Sequence, residues 1–393
     1  GVLTQKEGVF TLTPNDYRDA FQIIIPVEDL AGAQSGNYVF GIINNWTNRE
    51  AIPYGKIVEV LGESATHDAR MKGIALERGF SSNFPASVED EAHAIEVRGI
   101  QEVDLKDRQD FRGVTTFTID PFDAKDFDDA ISIRKITDDR FEIGVHIADV
   151  SHYVRPGTEL DAEAYDRATS VYLVDRTIPM LPEALSNDLC SLNPNVDRLT
   201  FASVFEVDMT GHVYKSWIGR TVIHSDKRFT YEEAQGILDA KSGIFFDELD
   251  TLNQIAKKLS EKRFKNGALS LETDEVKFKL DENGVPHSVY IKERGDTHKL
   301  VEEFMLLANT QVAIYGSHKG ETERLFLYRI HDKPNPDKSK NLQDFLEVLG
   351  YKVEMKDGII PPKILNDIAR DSQKSDLGDA VQTSIVRSLA KAK

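Results

Sequence analysis

The spacing of apolar residues changes near residue 97, and this change most constrains the fold. Before residue 97, apolar and polar residues alternate in short runs, 8–12, 21–26 and 38–43, between clusters rich in Gly, Pro, Asn and Asp. Short alternating runs separated by such clusters predict strands. Five strands in under about a hundred residues suit a barrel of the OB type. After residue 97, a few more predicted strands are followed by longer segments with helical spacing.

The second part of the chain is predicted to be mixed. A helix over 83–96 leads out of the first part, and the polar stretch 101–112 precedes strands over 114–119, 130–133 and 141–147. A capping box from Thr230 to Glu233 starts one helix. Further helices are predicted over 249–264, 299–315, 341–349 and 379–393. We therefore predict an α+β fold, with an OB-type barrel over 1–97 and a mixed α/β domain over 98–393.

Composition limits the class of protein. The net charge of -18 argues against a protein that binds nucleic acid through bulk charge alone, although a local basic channel with bound cations remains compatible with it. Cys190 is the single cysteine, so no disulfide forms within the chain, which fits a reducing cytoplasm. We expect Cys190 to be a small buried core residue. No run of about 18 apolar residues occurs, so we expect no membrane span.

Four carboxylates lie in a short turn between two predicted strands, at Asp120, Asp126, Asp128 and Asp129. In an extended chain Asp126 and Asp128 project to the same side, and Pro121 bends the chain directly after Asp120. Such a cluster does not stay ionised without positive charge nearby. Hard oxygen ligands in this number suit Mg²⁺ or Mn²⁺. Two such ions would serve phosphodiester hydrolysis.

The alternative interpretation of this turn is a solvated acidic loop. Acidic residues number 66 of 393, so a local cluster of them arises readily without any metal. Spacing alone leaves both interpretations open. An EF-hand is excluded, because the sixth position counted from Asp126 is Ile131 rather than Gly, and the twelfth is Thr137 rather than Glu.

Longer motifs resemble the ribonuclease II and ribonuclease R family, most closely its bacterial ribonuclease R branch. They are TFTIDPFDAKDFDDAISI (116–133), GVHIADVSHYVRPGT (144–158), SVYLVDRTIPMLPEALSNDLCSLNPNVDRLTF (170–201), HKLVEEFMLLAN (298–309) and FLYRIHDKP (326–334). The resemblance implies that residues 1–97 form a cold-shock-like barrel and that residues 98–393 form an RNB catalytic domain lacking its C-terminal part.

The resemblance also implies an activity and a set of site residues. The family hydrolyses single-stranded RNA processively from the 3′ end with Mg²⁺, and releases nucleoside 5′-monophosphates; Mn²⁺ is an alternative ion. Asp120, Asp126 and Asp129 match its metal-binding aspartates, and Asp128 matches the one that orients or deprotonates the attacking water. Tyr172 matches a tyrosine that packs on the nucleotide, and stacking of this kind tolerates any base. We expect a monomer.

For four further sites, the sequence leaves open whether the residues take part in RNA or metal binding or are structural or solvated. Arg329 and Lys333 either hold phosphates, as guanidinium groups often do, or are solvated or structural. For His146 we favour structural hydrogen bonding at a strand end over a place in the RNA channel. Asp149 either supports the metal ligands or is structural. Glu303 resembles a channel residue, but an acid on an amphipathic helix usually lies on a solvated face.

Two departures from the family pattern concern aromatic residues. Leu271 stands where many relatives have a Phe that closes the stack of bases. The sequence EGVFTL (7–12) replaces a KGFGF-like pattern in the barrel, which weakens the case for RNA binding there. Of the barrel aromatics, Trp46 is the one expected to be exposed; the others are expected to be mostly core, and they are Phe10, Tyr17, Phe21 and Phe40.

The family pattern continues beyond Lys393, with an arginine thought to hold the scissile phosphate. We therefore expect residues 1–393 alone to bind Mg²⁺ weakly and to cleave RNA little or not at all, and the complete protein to be active. The rival function is an RNA-binding or chaperone module with a non-functional catalytic domain. All four aspartate positions are intact, which favours the enzyme.

Overall fold

The computed structural model describes residues 1–15, 21–47, 52–64, 66–270, 275–317, 325–373 and 375–393. Tyr17 and Leu271 lie outside the described residues. The chain divides into two compact units. The first unit contains Gly1–Val97, Val154–Ser186 and Phe278–Val289, and the second contains Arg98–Tyr153, Asn187–Lys277 and Tyr290–Lys393. The single domain boundary proposed after residue 97 stays a prediction.

Strands and helices are numbered here in chain order. The strands are β1 (Val2–Lys6), β2 (Val9–Thr13), β3 (Ile23–Ile25), β4 (Asn37–Asn45), β5 (Tyr54–Glu63), β6 (Gln109–Asp110), β7 (Thr116–Asp120), β8 (Asp129–Lys135), β9 (Arg140–Ala148), β10 (Val171–Tyr172), β11 (Thr177–Ile178), β12 (Asp197–Asp208), β13 (Val213–His224), β14 (Lys227–Thr230), β15 (Glu275–Leu280) and β16 (Pro286–Lys292). The helices are α1 (His67–Glu77), α2 (Ala86–Arg98), α3 (Glu102–Leu105), α4 (Val150–Tyr153), α5 (Glu159–Arg167), α6 (Tyr231–Ala240), α7 (Phe246–Lys265), α8 (Asp296–Ser317), α9 (Pro336–Val348), α10 (Pro362–Ser372) and α11 (Gly378–Ser388).

The first five strands close into a barrel in the order β1-β2-β3-β5-β4, which confirms the OB-type fold. Alternate residues point inward, and Leu3, Leu12 and Val39 are among the buried core. The two-residue turn between β1 and β2 has positive φ at both Glu7 (49°) and Gly8 (84°). This conformation matches the twist of a tight hairpin and favours Gly, so the sequence EG fixes the register of the first two strands.

The aromatic residues of the barrel divide as predicted. Phe10 and Phe21 are partly buried and pack against the barrel core, and Phe40 packs against a second small cluster around Tyr38. Trp46 is 43% exposed, and its ring centre lies 5.0 Å from that of Phe21. The exposed position predicted for Trp46 is confirmed.

The second unit is built on a seven-stranded sheet in the order β14-β7-β8-β9-β12-β13-β6. Its five central strands are antiparallel to one another, and the edge strands β14 and β6 pair in parallel with β7 and β13. One face is apolar and packs against α6, α7 and α8, with Phe117, Val145 and Phe205 on the sheet and Leu252 and Phe304 on the helices. This arrangement confirms the mixed α/β domain.

The opposite face of the sheet is polar and also buried. His146 is completely buried; its Nε2 lies 2.9 Å from Ser132 Oγ and its Nδ1 lies 3.1 Å from Thr221 Oγ1. A Cβ at Gly144 would lie 2.5 Å from both His146 Nε2 and Ser132 Oγ, so glycine leaves room for that hydrogen bond. Burial lowers the pKa of His146 to about 3. The structural interpretation of His146 is confirmed.

A third core joins α9, α10 and α11, with Leu346, Ile368 and Val381 among its buried residues. The predicted helix over 379–393 is wrong in its last turn, because α11 ends at Ser388. The backbone N and O of Lys393 instead pair with the O and N of Ile330, each at 2.9 Å. In the part of the chain that the structure describes, no helix combines the length and apolarity needed to cross a membrane.

Candidate metal centre

The acidic turn connects two neighbouring strands at the edge of the polar sheet face. Asp120 is the last residue of β7, and Asp129 is the first residue of β8. On the other side of β7, Thr230 of β14 pairs with Asp120. Thr230 is also the N-cap of α6, whose predicted capping box with Glu233 is confirmed. The carboxylates therefore lie where strand ends and a helix N-terminus meet, a setting that favours negative charge.

Three hydrogen bonds hold the middle of the turn. Phe127 N donates to Ser191 Oγ (3.0 Å), and Ser191 Oγ donates to Lys125 O (2.8 Å). Leu192 N donates to Phe127 O (2.8 Å). Ser191 is fully buried. The main chain on both sides of Asp126 is therefore tied to a segment that lies about 65 residues further along the chain.

Arg228 of β14 holds the beginning of the turn. Its Nη2 donates to Phe122 O (3.0 Å) and to Pro121 O. The guanidinium carbon lies 5.2 Å from the centre of the Phe127 ring, a cation–π distance. The positive charge of Arg228 also opposes the rise in the pKa of Asp120. This arginine thus binds the backbone of the turn and offsets part of its negative charge.

Burial and the negative charges of neighbouring aspartates raise the pKa of Asp120, Asp128 and Asp129. Burial, and then the charges of Asp129 and Asp128, raise the pKa of Asp120 to about 7, against the opposing effects of Thr118 and Arg228. Burial and the charge of Asp128 raise the pKa of Asp129 to about 6. Burial and the charge of Asp126 raise the pKa of Asp128. The charges of Asp128 and Asp129 act on Asp120, that of Asp128 on Asp129, and that of Asp126 on Asp128, so the four aspartates form one electrostatically linked cluster.

The cluster fits a divalent cation in chemistry. Asp120 is 8% exposed, and its buried Oδ2 has no hydrogen-bond partner among the described residues. Buried carboxylate oxygens are normally paired, and the hard oxygens of this cluster are ligands that Mg²⁺ and Mn²⁺ prefer. Within the described ranges, however, no group of three or more His, Cys, Asp or Glu side chains is arranged so that it could hold a metal ion. The four-ligand metal centre therefore stays a prediction.

The predicted RNA-binding residues lie outside this cluster. Tyr172 belongs to the first unit, where it is 66% exposed on the β10–β11 hairpin. Arg176 of that hairpin region pairs with Asp68 at the start of α1 (2.6 Å). Arg329 and Lys333 belong to the second unit and are exposed, in a stretch between α8 and α9. The RNA-binding roles of Tyr172, Arg329 and Lys333 stay predictions.

Asp149 lies on the polar side of the sheet in a nearly fully buried ion pair. Its Oδ2 lies 2.6 Å from Arg108 Nη2, and both side chains are at most 3% exposed. Ser151 Oγ donates to Asp149 Oδ1 (2.7 Å), and Arg108 also donates to Thr200 O (3.0 Å). Burial alone would raise the pKa of Asp149, but hydrogen bonds from Arg108 and Ser151 outweigh it and lower the pKa. The geometry therefore favours the structural interpretation of Asp149.

Glu303 and Cys190 are both buried in positions that indicate a structural role. Glu303 was expected on a solvated helix face, and that expectation is wrong: its side chain is 4% exposed, and its Oε1 lies 2.6 Å from Arg263 Nη2. The pairing arises because α7 and α8 pack side by side and bring the two residues together. Cys190 is buried, and burial raises its pKa to about 12. Its predicted core position is confirmed.

Three residues near the aspartates were not found from the sequence. They are Ser191, Arg228 and Tyr231. The Tyr231 ring stacks on His298 with centres 3.9 Å apart, and burial, then the charges of Asp129 and Asp120, raise the pKa of Tyr231 to about 12. The capping box at Thr230 could have placed Tyr231 at the helix start and Arg228 two residues before the N-cap. No local pattern indicates Ser191.

The sequence matches two families in succession. The cold shock domain family matches residues 12–85, and the RNB domain family matches residues 108–393. Ribonuclease R of Thermotoga maritima is 37% identical over 400 residues, covering 100% of this chain and 56% of that protein. The chain spans about half the length of the curated relatives it matches, 56% and 54% for ribonuclease R of Thermotoga maritima and of Aquifex aeolicus.

Solved structures share the fold. RNase R of Mycoplasma genitalium, in complex with ribose methylated single-stranded RNA, superposes with a TM-score of 0.89 at 24% identity, over 100% of this chain and 62% of that chain. Yeast Ssd1, a pseudonuclease, superposes with a TM-score of 0.70 at 19% identity, over 100% and 49%. At these identities the likeness concerns the fold alone. With the RNB domain matched over 108–393 and a cold shock domain before it, the chain belongs to the RNB family.

Proposed function

We propose that the complete protein is a divalent-cation-dependent 3′→5′ exoribonuclease. It degrades single-stranded RNA processively from the 3′ end and releases nucleoside 5′-monophosphates. Membership of the RNB family supports the reaction class. The single observation that carries the proposal is the cluster of four aspartates, in which Asp120 keeps a buried carboxylate oxygen without a hydrogen-bond partner among the described residues and the pKa values of Asp120, Asp128 and Asp129 are raised. Perturbed carboxylates of this kind concentrate at catalytic sites.

Asp120, Asp126, Asp128 and Asp129 would hold the cation, which we propose to be Mg²⁺, with Mn²⁺ able to replace it. A bound divalent cation supplies Lewis-acid polarisation of the phosphate and lowers the pKa of water. The protein contributes a preformed concentration of negative charge, because Asp120 is buried and Asp129 is partly buried. Neutralisation of that charge is the free-energy gain that would drive cation binding.

Asp128 has the most exposed side chain of the four aspartates, although protein atoms still surround part of its carboxylate, and this supports its role at the reacting atoms. Its carboxylate would orient the attacking water and accept its proton. The water oxygen forms a bond to phosphorus, the bond from phosphorus to the 3′-oxygen breaks, and that oxygen takes up a proton. The phosphate stays on the released nucleotide as a 5′-monophosphate. Asp128 is coupled to its neighbours, so its proton affinity belongs to the cluster as a whole.

The RNA-binding roles follow the same proposal. The exposed ring of Tyr172 would stack on a base, an interaction worth about 1–3 kcal/mol that any base can make. Exposed Arg329 and Lys333 would contact phosphates. These contacts do not read sequence, which suits a general degradative enzyme. A monomer located in the cytoplasm completes the proposal.

A second candidate function is RNA binding without cleavage. The fold is shared with Ssd1, which is described as a pseudonuclease, so the fold by itself does not decide between the two. The intact aspartates favour the enzyme, since a binding module has no need of four carboxylates gathered in one turn.

The discriminating experiment follows the fate of RNA. The complete protein is incubated with 5′-labelled single-stranded RNA carrying a free 3′ end, with Mg²⁺, with Mn²⁺ or with EDTA. We expect shortening from the 3′ end and nucleoside 5′-monophosphates with either ion, and intact RNA with EDTA. Tight binding of RNA that stays intact with both ions would support the pseudonuclease instead. Residues 1–393 alone are expected to show little or no cleavage in the same assay.

A further inference from the structure

One buried hydroxyl joins the main chain on both sides of Asp126. Ser191 Oγ accepts a hydrogen bond from Phe127 N (3.0 Å) and donates one to Lys125 O (2.8 Å). A serine hydroxyl has one donor and can accept two bonds, so Ser191 can accept the bond from Phe127 N and donate the bond to Lys125 O at the same time. The residue between the two anchored positions is Asp126.

Burial makes this bridge a strong constraint on geometry. Ser191 is fully buried and Phe127 is 8% exposed, so water does not compete for the hydrogen bond between them, and the bond to Lys125 O is partly buried. A third bond, from Leu192 N to Phe127 O (2.8 Å), fixes the next carbonyl group. With these groups fixed, the peptide planes on both sides of Asp126 have little freedom to rotate, and the direction of its Cα–Cβ bond is set.

We propose that Ser191 is a positioning residue of the candidate metal centre: its hydroxyl fixes the backbone of Lys125 to Phe127 and so aims the carboxylate of Asp126 at the cation. This inference rests on the proposed function. Ser191 itself does not contact the cation or the RNA. Groups that hold metal ligands in place typically change metal affinity or activity by about 10–100-fold when removed.

The decisive variant is Ser191→Ala in the complete protein. It removes the hydroxyl and leaves Phe127 N and Lys125 O without that partner. Mn²⁺ binding, followed by calorimetry or by the loss of the free-ion electron paramagnetic resonance signal, is measured in the absence of RNA. We expect the dissociation constant for Mn²⁺ to rise about tenfold, and RNA binding in EDTA to stay as in the wild type.

The matched control is Ser372→Ala. Ser372 is also fully buried, and its hydroxyl donates to Ala369 O (2.9 Å) within α10. This variant loses a buried hydroxyl and its hydrogen bond but leaves the acidic turn untouched. Wild-type Mn²⁺ affinity is expected for Ser372→Ala even if its thermal stability falls.

A second pair of variants covers the case in which Ser191→Ala does not fold. Ser191→Thr and Ser191→Val have nearly the same shape and share any strain from the added methyl group, but only threonine keeps the hydroxyl. We expect Ser191→Thr to bind Mn²⁺ more tightly than Ser191→Val. Equal affinities in this pair would overturn the proposal.

The outcomes separate this inference from the proposed function. Wild-type Mn²⁺ affinity in Ser191→Ala, with a wild type that binds Mn²⁺ and cleaves RNA, overturns the positioning role and leaves the proposed function standing. A wild type that neither binds Mn²⁺ nor cleaves RNA overturns both. Weaker Mn²⁺ binding in Ser191→Ala, with an unaffected Ser372→Ala, supports the positioning role.

Discussion

Two acidic sites on the same sheet have opposite electrostatics. At the end of β7, Asp120 is buried with one carboxylate oxygen unpartnered, and its pKa is raised to about 7. Just after β9, Asp149 is buried to a similar degree, but Arg108 and Ser151 bind it and its pKa is lowered. Burial is similar at the two sites, so the difference lies in the partners that each carboxylate has within the protein.

This difference separates a functional carboxylate from a structural one. Asp149 obtains its counter-charge from Arg108, so this carboxylate needs no cation from outside the protein. Asp120 has the charge of Arg228 nearby, which does not prevent the rise in its pKa, and that guanidinium also binds two backbone oxygens. A site that lacks its counter-charge destabilises the fold until a cation arrives, and such sites are characteristic of binding and catalysis. The following predictions test this contrast, from the largest expected effect to the smallest.

The largest effect is expected for Asp128→Asn in the complete protein. The amide keeps the shape of the side chain but cannot accept the proton of the attacking water. We expect the cleavage rate to fall by about 100-fold or more, while the affinity for RNA stays close to that of the wild type. Single-turnover cleavage and a filter-binding titration measure the two quantities. An equal loss of cleavage and binding would instead assign Asp128 a structural role.

Arg108→Met tests the structural site. Methionine fills much of the volume but leaves Asp149 buried without a counter-charge, which costs about 3–5 kcal/mol. We expect that decrease in the free energy of unfolding, measured by urea denaturation. The control is Arg112→Met, because Arg112 pairs with Asp110 at 2.6 Å but is 39% exposed; its expected cost is about 1 kcal/mol or less. Similar losses in both variants would contradict the contrast.

Asp120→Asn and Asp149→Asn are expected to act in opposite directions without divalent cations at pH 8. Asp120→Asn removes a buried charge that lacks a partner, so the free energy of unfolding should rise by about 2 kcal/mol. Asp149→Asn leaves Arg108 unpaired, so it should fall by about 3 kcal/mol. Chelator-treated protein and urea denaturation provide the measurement. A destabilised Asp120→Asn variant would show that Asp120 is structural as well.

The pH dependence of the Asp120 effect has a definite sign. The folded-state pKa of about 7 lies above the reference value of 3.8, so the stability that protonated Asp120 contributes is present below pH 3.8 and is lost as pH rises through about 7. Asparagine does not titrate. We therefore expect the stability difference between Asp120→Asn and the wild type to grow from pH 4 to 7 and then to level off, in cation-free thermal unfolding. A difference independent of pH would contradict the raised pKa.

The smallest effect is expected for Arg228→Lys. Lysine keeps the positive charge near Asp120 but not the forked geometry with which Nη2 reaches Pro121 O and Phe122 O. We expect a loss of about 1 kcal/mol in stability and a modest weakening of Mn²⁺ binding. The control Arg134→Lys changes an arginine that is 55% exposed and pairs with Glu142, and it should alter neither quantity.

The sequence located the acidic turn because local patterns surround it. Strands were predicted over 114–119 and 130–133, so Asp120 and Asp129 were expected in the short connection between them; in the structure Asp120 ends β7 and Asp129 begins β8. The capping box likewise placed the start of α6 at Tyr231. Strand alternation and helix capping depend on residues that are close in sequence, and both could therefore be predicted from the sequence alone.

Contacts between distant parts of the chain were not predictable. Ser191 lies 66 residues from Lys125, and Arg108 lies 41 residues from Asp149; no periodicity links such pairs. The polar stretch 101–112 was expected only to precede the second domain, yet it supplies Arg108 and the edge strand β6. The prediction that Glu303 lies on a solvated helix face is wrong for the same reason, because its partner Arg263 lies on another helix.

Thermal unfolding of wild type and Asp120→Asn, each with and without Mg²⁺, tests the central claim most directly. A ligand that binds the folded state at 100 times its dissociation constant adds about 2.7 kcal/mol of stability. We predict that saturating Mg²⁺ raises the wild-type midpoint and leaves the Asp120→Asn midpoint, which is higher without the ion, nearly unchanged. A wild type that does not respond to Mg²⁺, or a variant that responds equally, would contradict a cation site at these aspartates.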